Sequence, residues 1–117
     1  MAQSIIQQFT ETVQRLPDAA ALRYRDPQEA WQTLTWKDLD EKRLAFGAGL
    51  LELGLQPKER VNILSNSTME WMAADLGIQS AGGTTVPIYQ SNLPHEVKYI
   101  IEDCEGVMVL AQDASQV

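Results

Sequence analysis

Apolar side chains along the 117-residue chain recur at two spacings, and the switches between them mark out the elements. Ile5, Ile6, Phe9, Val13 and Leu16 fall at steps of three and four, so residues 4–16 read as a helix with Ser4 at its N-cap and Pro17 closing it. Residues 21–25 and 31–35 alternate instead, and with Asp26-Pro27 as a turn they read as a hairpin. Thr35, three residues before Asp38, is the capping signal of a second helix over residues 36–53, striped by Leu39, Phe46, Leu50 and Leu53. Ala45, Ala48 and Gly49 form its smooth side. A glycine inside a helix costs about 1 kcal/mol against alanine, so Gly47 and Gly49 point to a neighbouring backbone packed close. Gly54 and Pro57 stop this helix.

The chain is organised around residues 60–89. Arg60-Val-Asn-Ile-Leu64 is a short strand, and Ser67, three residues before Glu70, reads as the cap of the helix that follows. That helix carries two apolar rows, Met69, Met72, Ala73 and Leu76 on one side and Trp71, Ala74, Ile78 and Ala81 on the other. A helix apolar on two faces is packed on two sides. Gly82-Gly83 ends it and residues 84–88 form the next strand; two short strands joined by such a helix are parallel. Ser91-Asn-Leu-Pro94 opens a further helix, buried through Val97, Ile100, Ile101 and Cys104. Val107-Met-Val-Leu-Ala111 is a continuous apolar run of the kind found inside parallel sheets. The expected fold is therefore α/β: a layered parallel-type sheet with βαβαβ in residues 60–111. Residues 1–59 supply helix, hairpin and second helix, and residues 112–117 a tail. Because the sequence ends just beyond a core-type strand, residues 1–117 read as one incomplete α/β domain.

Charge narrows the function classes. A net charge of −7 argues against nonspecific nucleic-acid binding, which needs clustered Lys and Arg. No apolar run is long enough to span a bilayer, and the first residues lack the basic flank and apolar core of a signal peptide. One cysteine, Cys104, allows neither an internal disulfide nor a cysteine metal cluster. The expected compartment is the cytoplasm.

Candidate chemistry is sparse. Gly82-Gly83 leads into a strand, whereas a phosphate-binding glycine loop follows a strand and opens a helix. His95 has no second histidine or cysteine near it and reads as a surface residue. Cys104 completes an apolar stripe and reads as a small hydrophobe. Glu96, Glu102, Asp103 and Glu105 read as a solvated helix face. Ser65, Asn66, Ser67 and Thr68 sit where open α/β sheets bind ligands, at the carboxyl end of a strand, although capping accounts for them. Tyr89, Gln90 and Ser91 occupy the equivalent loop after the next strand and are the substrate-side loop candidates. No catalytic, cofactor-binding or metal-ligating set can be assembled.

Beyond these single residues, a longer pattern is present. Thr35-Trp36-Lys37-Asp38-Leu39 resembles the entry to a helix near the amino terminus of the adenylate-forming acyl-CoA synthetases. Gly49-Leu50-Leu51, Leu53-Gly54-Leu55, Pro57 and Arg60-Val61 continue the likeness. So do Ser65-Asn66-Ser67 before Glu70-Trp71, Asp75-Leu76-Gly77, and Ala81-Gly82 before Val86-Pro87-Ile88-Tyr89. Glu96-Val97, Tyr99-Ile100-Ile101 and Asp103 complete it. Pro87-Ile88-Tyr89 is more similar to the long-chain fatty acid branch than to the acetate branch. Gln90 stands where a proline is common, and Leu93 where the helix often has a Ser or Thr cap.

The resemblance implies an amino-terminal piece of a longer ligase. Such enzymes use ATP and magnesium to turn a fatty acid into an acyl-adenylate, then pass the acyl group to coenzyme A. Their phosphate loop and nucleotide-contacting segments lie beyond the matching region, so none of those residues is carried over. The 117 residues are expected to be inactive alone and to bind no cofactor. Their expected partners are the rest of the parent polypeptide or, through uncovered apolar surface, a second copy; peripheral membrane association belongs to the parent. Two rival readings stand beside this one, a standalone α/β module for a nucleotide or small acid and a non-catalytic interaction domain.

Overall fold

A computed structural model describes residues 4–26, 28–66 and 68–112. The elements run α1 (Ile5–Arg15), β1 (Ala20–Arg25), β2 (Trp31–Thr35), α2 (Trp36–Glu52), β3 (Arg60–Leu64), α3 (Met69–Ser80), β4 (Thr84–Ile88), α4 (Pro94–Cys104) and β5 (Met108–Ala111). β1 and β2 form an antiparallel hairpin. β3 lies between β4 and β5 and is parallel to both. The α/β class and the βαβαβ unit are as the sequence spacing indicates.

Local capping sets where the helices begin. Ser4 accepts from Gln7 N–H while the Gln7 side chain takes Ser4 N–H, and Thr35 and Asp38 reciprocate in the same way at α2. At α3 the expected cap is displaced by one residue. Thr68, not Ser67, is the N-cap: its hydroxyl accepts from Trp71 N–H at 3.2 Å, and the helix starts at Met69. Ser67 itself and Pro27 lie outside the described residues, as do 113–117 of the expected tail.

Helix α3 sits between two apolar clusters, as its two rows require. Ala74 and Ile78 pack with Val61 and Ile63 of the sheet and Leu50 and Leu55 from the α2 side; Trp71, Met108 and Leu110 flank them. Ala73 and Leu76 pack the other way, against Phe9 of α1, Leu34 of the hairpin and Leu39 of α2. Helices α2 and α3 meet glycine to glycine. A Cβ on Gly77 would fall 2.5 Å from Phe46 Cβ, and one on Gly47 would fall 3.2 Å from the Gly77 carbonyl oxygen. The close neighbour expected at Gly47 is therefore the α3 backbone. Gly49, by contrast, faces open space.

Several expected core positions are corrected. Met72 (42% exposed) and Leu53 (74%) lie outside the packed faces, and Ile5 and Leu16 are exposed at the ends of α1. Their spacing is right for an apolar row, but the rows reach past the neighbouring elements. The α4 stripe is only half-buried: no residue of that helix is buried. β5 alternates between half-buried and exposed rather than being covered on both faces. Two polar residues, conversely, belong to the interior. Arg43 pairs with Asp40, donates to Ser80 Oγ at 2.9 Å and lies over the Phe9 ring, joining α1, α2 and α3. Asn62, in the middle of β3, is fully buried on the α4 face.

Candidate functional site

Because β3, β4 and β5 are parallel, their carboxyl ends open on one edge, where the loops after each strand gather. At the end of β3 and β5 there is a pocket of about 420 Å³. Its floor and walls are apolar (Phe46, Ile63, Trp71, Ala74, Leu110), and its rim is polar, with Ser65, Thr68, Glu70 and Gln112. Gln112 ties the rim together: its Oε1 accepts from Asn66 N–H at 3.0 Å, and its own N–H donates to Leu64 O. Ser65 Oγ lies 2.8 Å from the Asn66 carbonyl oxygen. Thr68 is committed to capping α3, as the chemistry of that position suggests. Ser65, Asn66 and Thr68 are thus brought to one rim, with Gln112 supplied from the far strand.

The loop after β4 lies across β3 from that pocket. Tyr89 is 78% exposed, Gln90 half-buried and Ser91 exposed. The loop turns back through Asn92 N–H to Tyr89 O at 3.1 Å and enters α4 at Leu93. Leu93 has no side-chain hydrogen bond to offer; instead Glu96 Oε1 accepts from Leu93 N–H at 2.7 Å. His95 and Glu96 line a shallow recess with Asn92, Tyr99 and Ile100. Glu102 approaches Lys98, and Glu105 pairs with Arg60. The four carboxylates expected as one acidic face therefore serve separate local partners or solvent. Among the described residues no group of three His, Cys, Asp or Glu converges as a metal site would.

Cys104 is half-buried, and its surroundings are more polar than a plain apolar stripe. Asn62 Nδ2 lies 3.4 Å from its Sγ and 3.3 Å from Val86 O. Arg60 Nε donates to Cys104 O at 2.6 Å, neutralising the carboxyl end of α4. Gly106 follows because a Cβ there would collide with Asn62 Oδ1. Asn62 was missed in the sequence because one polar residue in a β-branched strand reads as noise. The signal available was its place, central in the run and flanked by Val61 and Ile63.

Two carboxyl groups are held below the ordinary aspartate range. For Asp26 the main cause is donation from Ala30 N–H, followed by the Gln32 amide; for Asp38 it is donation from Thr35 N–H, followed by its hydroxyl. Both anchor turns and stand apart from the strand-end loops.

Comparison with known proteins agrees with this architecture. The family of AMP-binding enzymes matches residues 9–117. The chain is 31% identical over 113 residues to the long-chain-fatty-acid–CoA ligase ACSBG2 of Xenopus laevis, covering 97% of this chain and 15% of that protein. It is 32% identical over 114 residues to surfactin synthase subunit 2 of Bacillus subtilis, covering 97% of this chain and 3% of that one. Among solved structures, the fatty acid AMP ligase from Legionella pneumophila superposes with a TM-score of 0.85 at 25% identity, over 95% of this chain and 20% of that chain. The chain belongs to the AMP-binding enzyme family. It spans a small fraction of the length of each of these relatives.

Proposed function

We propose that these 117 residues are the amino-terminal scaffold of a long-chain fatty acid–CoA ligase, part of one α/β domain of a longer polypeptide. The observation that carries this reading is the family match through residues 9–117. The finer assignment draws support from the ligase relative and from Pro87-Ile88-Tyr89 at the end of β4. In this reading the parent, a cytoplasmic enzyme able to associate peripherally with membranes, activates a fatty acid with ATP and magnesium and transfers it to coenzyme A. The Tyr89, Gln90 and Ser91 loop lies on the substrate side. In this reading the 117 residues bind no cofactor of their own; Gly82-Gly83 closes α3 and leads into β4, the reverse of a phosphate-binding loop, which follows a strand and opens a helix. What the scaffold contributes is a rigid sheet edge from which the strand-end loops project.

A second reading is favoured by the surfactin synthase likeness, which is as high as that to the ligase. Here the parent would be an adenylation domain of a peptide synthetase, with an amino acid in place of the fatty acid. One experiment decides between them: the complete reading frame is expressed and assayed for acid-dependent exchange of pyrophosphate into ATP. Exchange with long-chain fatty acids, followed by thioester formation on free coenzyme A, is the expected result. Exchange with amino acids alone would establish the second reading. The 117-residue chain by itself is expected to give none with either, and measurable exchange by it would overturn the scaffold assignment.

A further inference from the structure

The β1–β2 hairpin has one face in the interior and one in solvent. Leu22, Tyr24 and Leu34 point inward and pack with Phe9 and Leu39. The alternate residues Arg23, Arg25, Trp31 and Thr33 are exposed, with Arg23 opposite Thr33 and Arg25 opposite Trp31. The Arg25 guanidinium lies 4.9 Å from the centre of the Trp31 ring, and Trp31 is 63% exposed. Among the described residues neither Arg23 nor Arg25 is ion-paired; the pairs join Arg43, Arg60 and Lys98 to their acids. Asp26, next to Arg25 in sequence, accepts from Gln28 N–H, Ala30 N–H and the Gln32 amide instead. Residues 38–117 carry the whole acidic excess of the chain, so this face is basic against an acidic remainder.

We infer that this face is a docking surface for an extended acidic segment of another protein, with carboxylates at alternate positions. Spacing selects the ligand. Arg23 and Arg25 are two residues apart on one face of a strand, so their side chains rise about 7 Å apart, and alternate residues of a second extended chain have the same repeat. A guanidinium lying over a ring keeps its in-plane N–H donors free, so each arginine can take one carboxylate through paired hydrogen bonds. The indole takes the aliphatic part of the segment; Trp and Arg are the residue types that dominate such contacts. The face is not unfinished core. An apolar segment laid over it would bury two unpaired guanidiniums, which is strongly unfavourable, so whatever covers it must bring acid. An anionic bilayer fits less well, because it also meets the acidic remainder of a chain with a net charge of −7. A short segment engages the hairpin alone.

Titration of the isotope-labelled chain with a capped peptide of alternating Glu and Thr, followed by nuclear magnetic resonance, tests the inference. Saturable shifts are expected at the Trp31 indole N–H and at the Arg23 and Arg25 side-chain N–H signals, weakening as salt is added. Arg23→Gln and Arg25→Gln should each weaken binding by about fivefold, with circular dichroism unchanged. Lys98→Gln, at an exposed position on α4, should leave binding as it was. A peptide of the same composition with its Glu residues adjacent should bind more weakly, and one with Lys in place of Glu should not bind. The complete reading frame should bind the Glu–Thr peptide as the 117-residue chain does. Absence of a saturable shift, equal affinity for the rearranged peptide, or loss of binding with Lys98→Gln would overturn the inference. So would a face closed to the peptide in the complete reading frame, or sedimentation with phosphatidylserine vesicles in place of peptide binding.

Discussion

The two faces of one three-stranded sheet behave differently. On the α3 face, Val61, Ile63 and Ile78 are all at most 2% exposed, and α3 is itself covered from behind by α1, α2 and the hairpin. On the α4 face the centre is closed, with Asn62, Leu64 and Ile88 buried, but α4 has no buried residue of its own and Val109 is open beside it. Both helices follow a strand and carry an apolar stripe. The difference lies in what stands behind them. A second layer turns α3 into interior, whereas α4 is the outermost element on its side and is fastened chiefly at its carboxyl end, through Arg60, Asn62 and the Gly106 contact. An apolar stripe thus says which side of a helix faces protein, and only the surrounding layers say how deeply it is buried.

Truncation should separate the two faces most. Ile78→Ala is expected to cost about 2–5 kcal/mol in a urea melt, and Val97→Ala on α4 well under half of that, since its site is already half-exposed. Equal losses would mean that α4 is as much core as α3. The next largest effect belongs to the α2–α3 contact. Gly77→Ala must push Phe46 or the α2 backbone aside, at about 1–3 kcal/mol, while Gly49→Ala on the open side should stabilise the helix by a fraction of that. Both are read as shifts in melting midpoint, and a neutral Gly77→Ala would show that the helices can separate without loss.

Capping offers a smaller contrast of opposite sign. Thr68→Ala removes the hydroxyl that receives Trp71 N–H and should cost about 1 kcal/mol. Leu93→Ser supplies α4 with the cap it lacks and should gain several tenths of a kcal/mol, because Leu93 is already extended and exposed. Chemical denaturation of the two variants side by side measures this, and a loss in the Leu93→Ser protein would show that its side chain packs. The smallest effect is a pH dependence in the layer behind α3. Asp38 titrates below 3.8 in the folded chain, because its carboxylate receives Thr35 N–H. A depressed pKa stabilises the fold above the ordinary value, and that contribution is lost as pH falls through the depressed one. The melting gap between the native chain and Asp38→Asn should therefore be constant near neutrality and narrow below about pH 3.8. A gap that widens on acidification would assign the shift to another group.

Much of the fold was legible because its signals are local. Ser4 as an N-cap and Thr35 with Asp38 as a capping pair are such signals, and both cap their helices, Ser4 with Gln7 as the partner that the structure adds. The hairpin and the order of strand and helix from residue 60 onward are equally local. The cap of α3 moved to Thr68 because adjacent hydroxyl residues compete for one position, and only the path of the loop selects between them. The strand-end rim was legible in part. Ser65, Asn66 and Thr68 follow from their place after a parallel strand, but Gln112 joins them across 46 residues of sequence, and no local pattern announces that.

Taken alone, the residue pattern determined the class of fold, the parallel pairing and the family likeness, since each depends on periodicity, punctuation and motif order within a few tens of residues. The tertiary structure alone decided that Asn62 and Arg43 are interior, that Leu53 and Met72 are not, and that Gly47 meets a backbone while Gly49 meets solvent. Burial is a property of what arrives from elsewhere in the chain. A buried amide or guanidinium is tolerated only when distant partners satisfy it, here Val86, Cys104 and Ser80, and those partners are chosen by packing.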